Sequence, residues 1–313
     1  MKNIFLHVGR GKTGSTAIQA FMAKQSERLS HDGIHYIQSD GGDRGSGHQQ
    51  FAKSFILSPP EYMIPAINPK EVREKIASEI CESASQSIVI SSENFPLADA
   101  NAVIEFLHDL PVKVTVKVIL FARTQDELLE SEYNQMVKLK RVTKSAQEYF
   151  AQDFSGADFF EEATKWESLV GQTNTICRIY DGKNGGVIEQ FLNCLPGPLR
   201  QTKGQATVVA ASQENRSLGM LALTTVRLLN NIEIEDRTAL YRHLVDQFNG
   251  GDLPAVLFNS DSARTIRDSY ADSNTKFLQR YFNLRGSDLG GRKYSDEERN
   301  ALRDRIIAMD LSG

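Results

Sequence analysis

Gly9 to Thr16 reads GRGKTGST and follows directly on the apolar run IFLHV, Ile4 to Val8. A glycine-rich stretch between a short apolar run and an amphipathic segment is where a parallel sheet hands a strand to a helix. It is also where backbone N–H groups can converge on an anion. Two glycine patterns overlap here. Gly9-Arg10-Gly11-Lys12-Thr13-Gly14 fits G-x-G-x-x-G, the dinucleotide pattern, and Gly11-Lys12-Thr13 fits the end of a triphosphate-binding P-loop. The P-loop needs another glycine ahead of this one, at the position that Leu6 fills inside the expected strand. The dinucleotide pattern wants an acid about 20 residues further on to hold a ribose. Glu27 falls in the following helix and Asp32 in the turn after it. The stretch alone does not choose its ligand.

The chain around it alternates strand and helix. Asn3 to Val8 reads as a buried strand, and Ile18, Phe21, Met22 and Leu29 recur at helical spacing over Ser15 to Leu29. Ile34 to Gln38 is a second strand, leading into SDGGDRGSGHQQ, a polar glycine-rich loop expected to act as a lid or acceptor loop. A helix is expected over Pro69 to Ser83, a third strand over Ser87 to Ser91, and a fourth over Val112 to Ala122, rich in β-branched residues. A helix from Gln125 to about Lys140, one over Glu161 to Leu169, a fifth strand at Asn174 to Tyr180 and a helix at Asn184 to Cys194 complete the alternation. This order predicts an α/β fold, a mainly parallel sheet flanked by helices, with ligands at the carboxyl ends of the strands. From Asn215 the pattern is helical. The expectation is a single α/β domain over 1–313, with a nucleotide-binding sheet core in 1–200 and a mainly helical part in 201–313.

Composition narrows the partners. The 313 residues carry 40 acidic and 36 basic side chains, a net charge of -4, which excludes a general nucleic-acid-binding surface and confines any anion site to a local cluster. Cys81, Cys177 and Cys194 are far apart and form no C-x-x-C pair, so neither a zinc cage nor a disulfide framework is indicated, and a reducing, cytoplasmic setting is expected. No run of about 18 apolar residues predicts a transmembrane segment.

The strand expected to end at Ala122 is followed by Arg123, with Ser131 eight positions on in the next helix. Lys12-Thr13-Gly14-Ser15-Thr16, followed by Ile18-Gln19, resembles the phosphosulfate-binding loop of sulfotransferases that use 3′-phosphoadenosine 5′-phosphosulfate (PAPS), and Arg123 with Ser131 resembles that family's second signature. Asn215 to Leu218, NRSL, is similar to bacterial carbohydrate-type members. The resemblance is firmest from Met1 to about Lys140. Gly11 stands where the family usually has proline, Ala17 where many members have tryptophan, and no clear copy of a later R-K-G segment is present.

The resemblance implies a P-loop-like fold and a site for PAPS and its product adenosine 3′,5′-bisphosphate (PAP). Gly11, Lys12, Thr13, Gly14, Ser15 and Thr16 would hold the 5′-phosphosulfate, and Arg123 and Ser131 the 3′-phosphate. It implies a hydroxyl acceptor, a small molecule or a glycan, and requires no metal. Lys12 would stabilise charge on the bridging oxygen. Glu93, just past the third strand, is the candidate base, and His48, in the polar loop, is its rival. Two other readings stand beside this one, a P-loop kinase and a non-catalytic nucleotide-binding module.

Overall fold

The computed structural model describes residues 1–40, 46–59, 67–139, 142–150, 157–181, 186–197, 217–248 and 253–310. In chain order its elements are β1 (Lys2–Val8), α1 (Ser15–Lys24), α2 (Ser26–His31), β2 (Ile34–Tyr36), α3 (Gln49–Lys53), α4 (Pro69–Glu82), β3 (Ser87–Ser92), α5 (Ala100–His108), β4 (Val114–Ala122) and α6 (Gln125–Lys138). Then come α7 (Ala146–Phe150), α8 (Phe159–Val170), β5 (Thr175–Ile179), α9 (Val187–Leu192), α10 (Met220–Leu229), α11 (Arg237–Phe248), α12 (Ser260–Ser269), α13 (Ala271–Phe282) and α14 (Asp296–Asp310).

The five strands form one sheet in the order β2-β3-β1-β4-β5, and every pairing is parallel. Parallel strands need both faces covered, and these strands comply. Phe5, Val89, Ile119 and Phe121 pack on one face with Ile18, Phe21 and Met22 of α1 and Phe191 of α9. Ile4, Leu6 and Val8 alternate with Phe5 and are also fully buried, so the opposite face is covered as well. The expected first helix is two helices. Gln25 ends α1 with non-helical backbone and α2 starts at Ser26. Helix α5 carries Val103, Ile104 and Leu107 inward after an Asp99 side-chain cap on the Ala102 N–H. The sequence reading left this helix out.

Register determines what gathers at the carboxyl edge. His7 lies opposite Ser91 and Val8 opposite Ser92, so the turn after β1 and Glu93 after β3 leave the sheet side by side. Ile119 pairs with His7, and β4 runs on to Ala122, which carries Arg123 past the end of β1. The chain leaves β1 toward β2 on one side and leaves β4 toward β5 on the other. The gap between β1 and β4 is therefore the switch point at which open parallel sheets bind ligands.

The chain divides into two compact units. One comprises Met1–Arg123, Phe159–Ala210 and Lys276–Arg285, and holds the whole sheet. The other comprises Thr124–Asp158, Ala211–Thr275 and Gly286–Gly313, and its described elements are helices. In the helical unit Tyr133 and Val137 of α6 pack with Leu218, Ala222, Leu223 and Val226. Arg299, fully buried, reaches Asp126 at 3.1 Å and Glu130 at 2.6 Å, which supplies the partners a buried guanidinium requires. Among the described residues no helix is long and apolar enough to cross a membrane.

Candidate functional site

The loop after β1 is held open by its own backbone. Lys12 has φ +69° and Gly14 φ +88°, two left-handed residues separated by Thr13. Gly14 meets this requirement without cost, whereas an L-residue such as Lys12 is strained there by roughly 1–2 kcal/mol. Strain of this kind persists only where neighbours fix it, and two contacts do so. The buried Thr13 hydroxyl donates to the Arg10 carbonyl at 2.6 Å, closing the loop on itself. Arg123 Nη1 donates to the Lys12 carbonyl at 2.8 Å. The two stretches singled out in the sequence, 111 residues apart, thus touch at the very peptide that carries the strain. The Arg123 guanidinium also lies over the Tyr180 ring, 5.0 Å from its centroid.

Helix α1 starts at Gly14 with no side-chain cap and no acidic residue in its first turn. Its leading N–H groups and the positive end of its dipole therefore face the loop without a built-in counter-charge, the arrangement that favours an anion. Thr16 is exposed on that first turn, while Ser15 is buried with its hydroxyl 3.4 Å from the Arg10 carbonyl. Gly11 has open space around its missing Cβ. At Gly14 a Cβ would stand 2.7 Å from Val187 Cγ2 and 3.1 Å from Tyr180 Cε2, so α9 and the end of β5 close that side of the loop. Gly14→Ala combines this overlap with a disallowed φ. It should lower the unfolding free energy by about 1–2 kcal/mol, read as a reduced denaturant midpoint at unchanged slope.

His7 forms the floor. It is wholly buried, and burial pushes its pKa down from 6.5 to about 3, so the ring is neutral. Nδ1 is 2.8 Å from Ser91 Oγ, whereas Nε2 has no hydrogen-bond partner. Nε2 lies 3.0 Å and Ser15 Oγ 2.4 Å from the point a Gly9 Cβ would occupy, which brings this unsatisfied nitrogen beneath the loop. The linkage sign is fixed by the depressed pKa. Between the unfolded value of 6.5 and about 3 the unfolded chain binds the extra proton, so the stability due to neutral His7 is complete above pH 6.5 and is lost as pH falls. His7→Asn, which can still bond Ser91, should remove up to about 1.4 kcal/mol per pH unit from the slope of stability against pH in that window. Urea unfolding of both proteins at several pH values measures the difference.

Glu93 is half-buried one residue past β3, and its Oε2 faces Gln19 Nε2 at 3.5 Å. His48, the rival base in the sequence reading, is placed differently. Its Nδ1 accepts the Ser91 N–H at 2.8 Å, which puts the ring proton on Nε2, 2.8 Å from the Ile37 carbonyl. Both nitrogens are spent on backbone and burial holds the pKa down, so His48 ties the 46–48 segment to the sheet and has no lone pair left for a substrate proton. Ser131 lies on α6 in the helical unit. Arg178, on β5, donates to the Cys177 carbonyl at 2.8 Å. Residues 41–45 of the expected acceptor loop, and Asn215 and Arg216 of NRSL, lie outside the described residues. Among the described residues no group of three or more His, Cys, Asp or Glu could hold a metal ion. The sequence reading missed His7 and Ser91 as parts of the site, and it gave Gln19 no role beyond its place in the stretch that resembles the phosphosulfate-binding loop. Their signal was register, because each sits one or two turns or strand positions from a residue it did select.

No family model matches the chain. A protein of Archaeoglobus fulgidus, described as an uncharacterized protein, is 26% identical over 202 residues, covering 62% of this chain. The match spans about half of that relative, 54% of its length. Among solved structures, a sulfotransferase from Alicyclobacillus acidocaldarius aligns with a TM-score of 0.38 at 13% identity, covering 79% of this chain and 94% of that one. The mouse sulfotransferase SULT7A1 complexed with PAP aligns with a TM-score of 0.36 at 12% identity, covering 85% of this chain and 88% of that one.

Proposed function

We propose that the protein is a sulfotransferase that moves the sulfuryl group of PAPS to a hydroxyl of a carbohydrate or glycolipid acceptor. The observation that carries the reading is the bond from Arg123 to the Lys12 carbonyl, which joins the two stretches resembling the family's nucleotide-binding signatures into one site. The uncapped start of α1 and the unsatisfied Nε2 of His7 fit an anion in the loop. In this reading Lys12, Thr13, Gly14, Ser15 and Thr16 hold the phosphosulfate. Arg123 and Ser131 hold the 3′-phosphate.

The acceptor oxygen forms a bond to sulfur as the bond from sulfur to the bridging oxygen breaks. Glu93 takes the hydroxyl proton, and the departing electron pair stays on the 5′-phosphate of PAP beside the Lys12 ammonium. The chain also fits a single sulfotransferase-like domain in a cytoplasmic setting. The acceptor class rests on the resemblance of residues 215–218 to carbohydrate-type members.

The test is transfer from radiolabelled PAPS to a panel of glycans and glycolipids. Labelled product that disappears on Lys12 substitution supports the reading. Binding of PAP without turnover on any acceptor would favour a nucleotide-binding module, and magnesium-dependent ATP turnover would favour a kinase.

A further inference from the structure

Gln19 is a buried polar residue on the inner face of α1, one turn past the loop. A buried primary amide must find partners for its N–H groups. Its Nε2 lies 3.3 Å from Ser91 Oγ and 3.5 Å from the Ser91 carbonyl, and the same nitrogen faces Glu93 Oε2 at 3.5 Å. Ser91 is itself held on both sides. Its hydroxyl is 2.8 Å from His7 Nδ1, and its N–H donates to His48. The opposite side of the amide is closed by Gly47, where a Cβ would stand 2.5 Å from Gln19 Cδ and Oε1. The amide is thus clamped between Ser91 and Gly47 with one N–H aimed at the carboxylate. Each clamping residue comes from a different segment that converges on the carboxyl edge of β1 and β3.

The other groups near Glu93 do not do this work. Burial and the charges of Asp40 and Glu93 push the Tyr36 phenol up, so the phenol is neutral, and its hydroxyl donates to the Ser46 carbonyl. Asp40 accepts the N–H groups of Gln50 and Phe51, and His48 is bonded to backbone at both nitrogens.

We infer that Gln19 is the positioning residue for Glu93. Its amide holds Oε2, leaving the other carboxylate oxygen to face the acceptor, and it ties the base to the same helix whose first turn shapes the anion loop. The contact is long, as such contacts often are before substrate binds, and closes in the loaded site. This inference rests on Glu93 as the base, and its test is built so that the two can fail separately.

The first arm needs no turnover. In ¹⁵N NMR of the wild type, the Gln19 side-chain amide signals should shift as a carboxylate titrates, and Glu93→Gln should abolish that shift. Amide signals indifferent to Glu93→Gln overturn the inference, whatever the enzyme does. The second arm is a double-mutant cycle on the single-turnover transfer rate. Gln19→Leu should slow transfer about 10-fold while changing PAP affinity less than twofold, and should cost nothing further on a Glu93→Gln background. Losses that multiply in the double variant overturn it. Gly47→Ala, which displaces the Gln19 amide without removing it, should slow transfer in the same direction. Absence of transfer in the wild type, with the amide shift intact, would sink the catalytic reading and leave the Gln19–Glu93 contact standing.

Discussion

Lys12→Met is expected to lower the rate of sulfuryl transfer by about 10²–10³-fold, the usual cost of removing one preorganised donor from a developing negative charge. PAP affinity should fall far less, because the loop N–H groups, Thr13 and Arg123 remain. The effect follows from where Lys12 stands. Its backbone is left-handed at φ +69° and its carbonyl is pinned by Arg123, so the side chain leaves the loop in a direction the fold determines. A second variant separates this role from stability. Lys12→Gly removes the same ammonium but relieves the left-handed strain. It should be as inactive as Lys12→Met and at the same time about 1 kcal/mol more stable than it. Stopped-assay rates and denaturant unfolding of the two variants give both numbers. Equal stability would show that the strain is absent, and retained activity in either would remove Lys12 from the transfer step.

Glu93→Gln should reduce transfer by about 10²–10⁴-fold, the range for loss of a general base. The isosteric amide keeps the volume of the side chain, so the folding midpoint should barely move. Binding of PAP should also hold, since the role proposed for Glu93 is on the acceptor's proton and not on the nucleotide. His48→Ala is a contrast on the other side of Ser91. It removes two backbone hydrogen bonds from a buried position and should act mainly by destabilisation, about 1–3 kcal/mol for the groups left unsatisfied. Undiminished transfer by Glu93→Gln would assign the proton to a different acceptor.

The sheet was legible in the sequence because parallel strands buried on both faces leave continuous apolar runs. SIVIS and VKVTVKVILFA could hardly be anything else. Their ends were less so. The first strand reads from Asn3 and runs from Lys2, and the fourth reads from Val112 and begins at Val114. The break between α1 and α2 was hidden because Leu29 keeps helical spacing with Phe21 and Met22 across Gln25. Helix α5 was overlooked although Asp99 caps it, since its apolar residues follow a proline and asparagine stretch that resembles a turn. In the site, the loop and Arg123 could be found because glycines and a strand-end arginine announce themselves locally. The contact between them could not, because it depends on β4 overrunning β1, a matter of register. His48 misled for a related reason. A histidine in a polar loop suggests exposure, and only the pairing of its ring with the edges of β2 and β3 shows it buried. Ser91 carried no signal beyond its register, and Gln19 none beyond its place in the loop-like stretch, because the meaning of an amide and a hydroxyl lies in what they face.

The most direct measurement is titration calorimetry of the full chain with PAP, set against magnesium-ATP and NAD, for the wild type and Arg123→Ala. The account predicts that PAP binds while the other two do not. It also predicts that Arg123→Ala weakens PAP by at least about 10-fold, both through the lost 3′-phosphate donor and through release of the Lys12 peptide. Tight binding of magnesium-ATP or NAD with no response to PAP would contradict it.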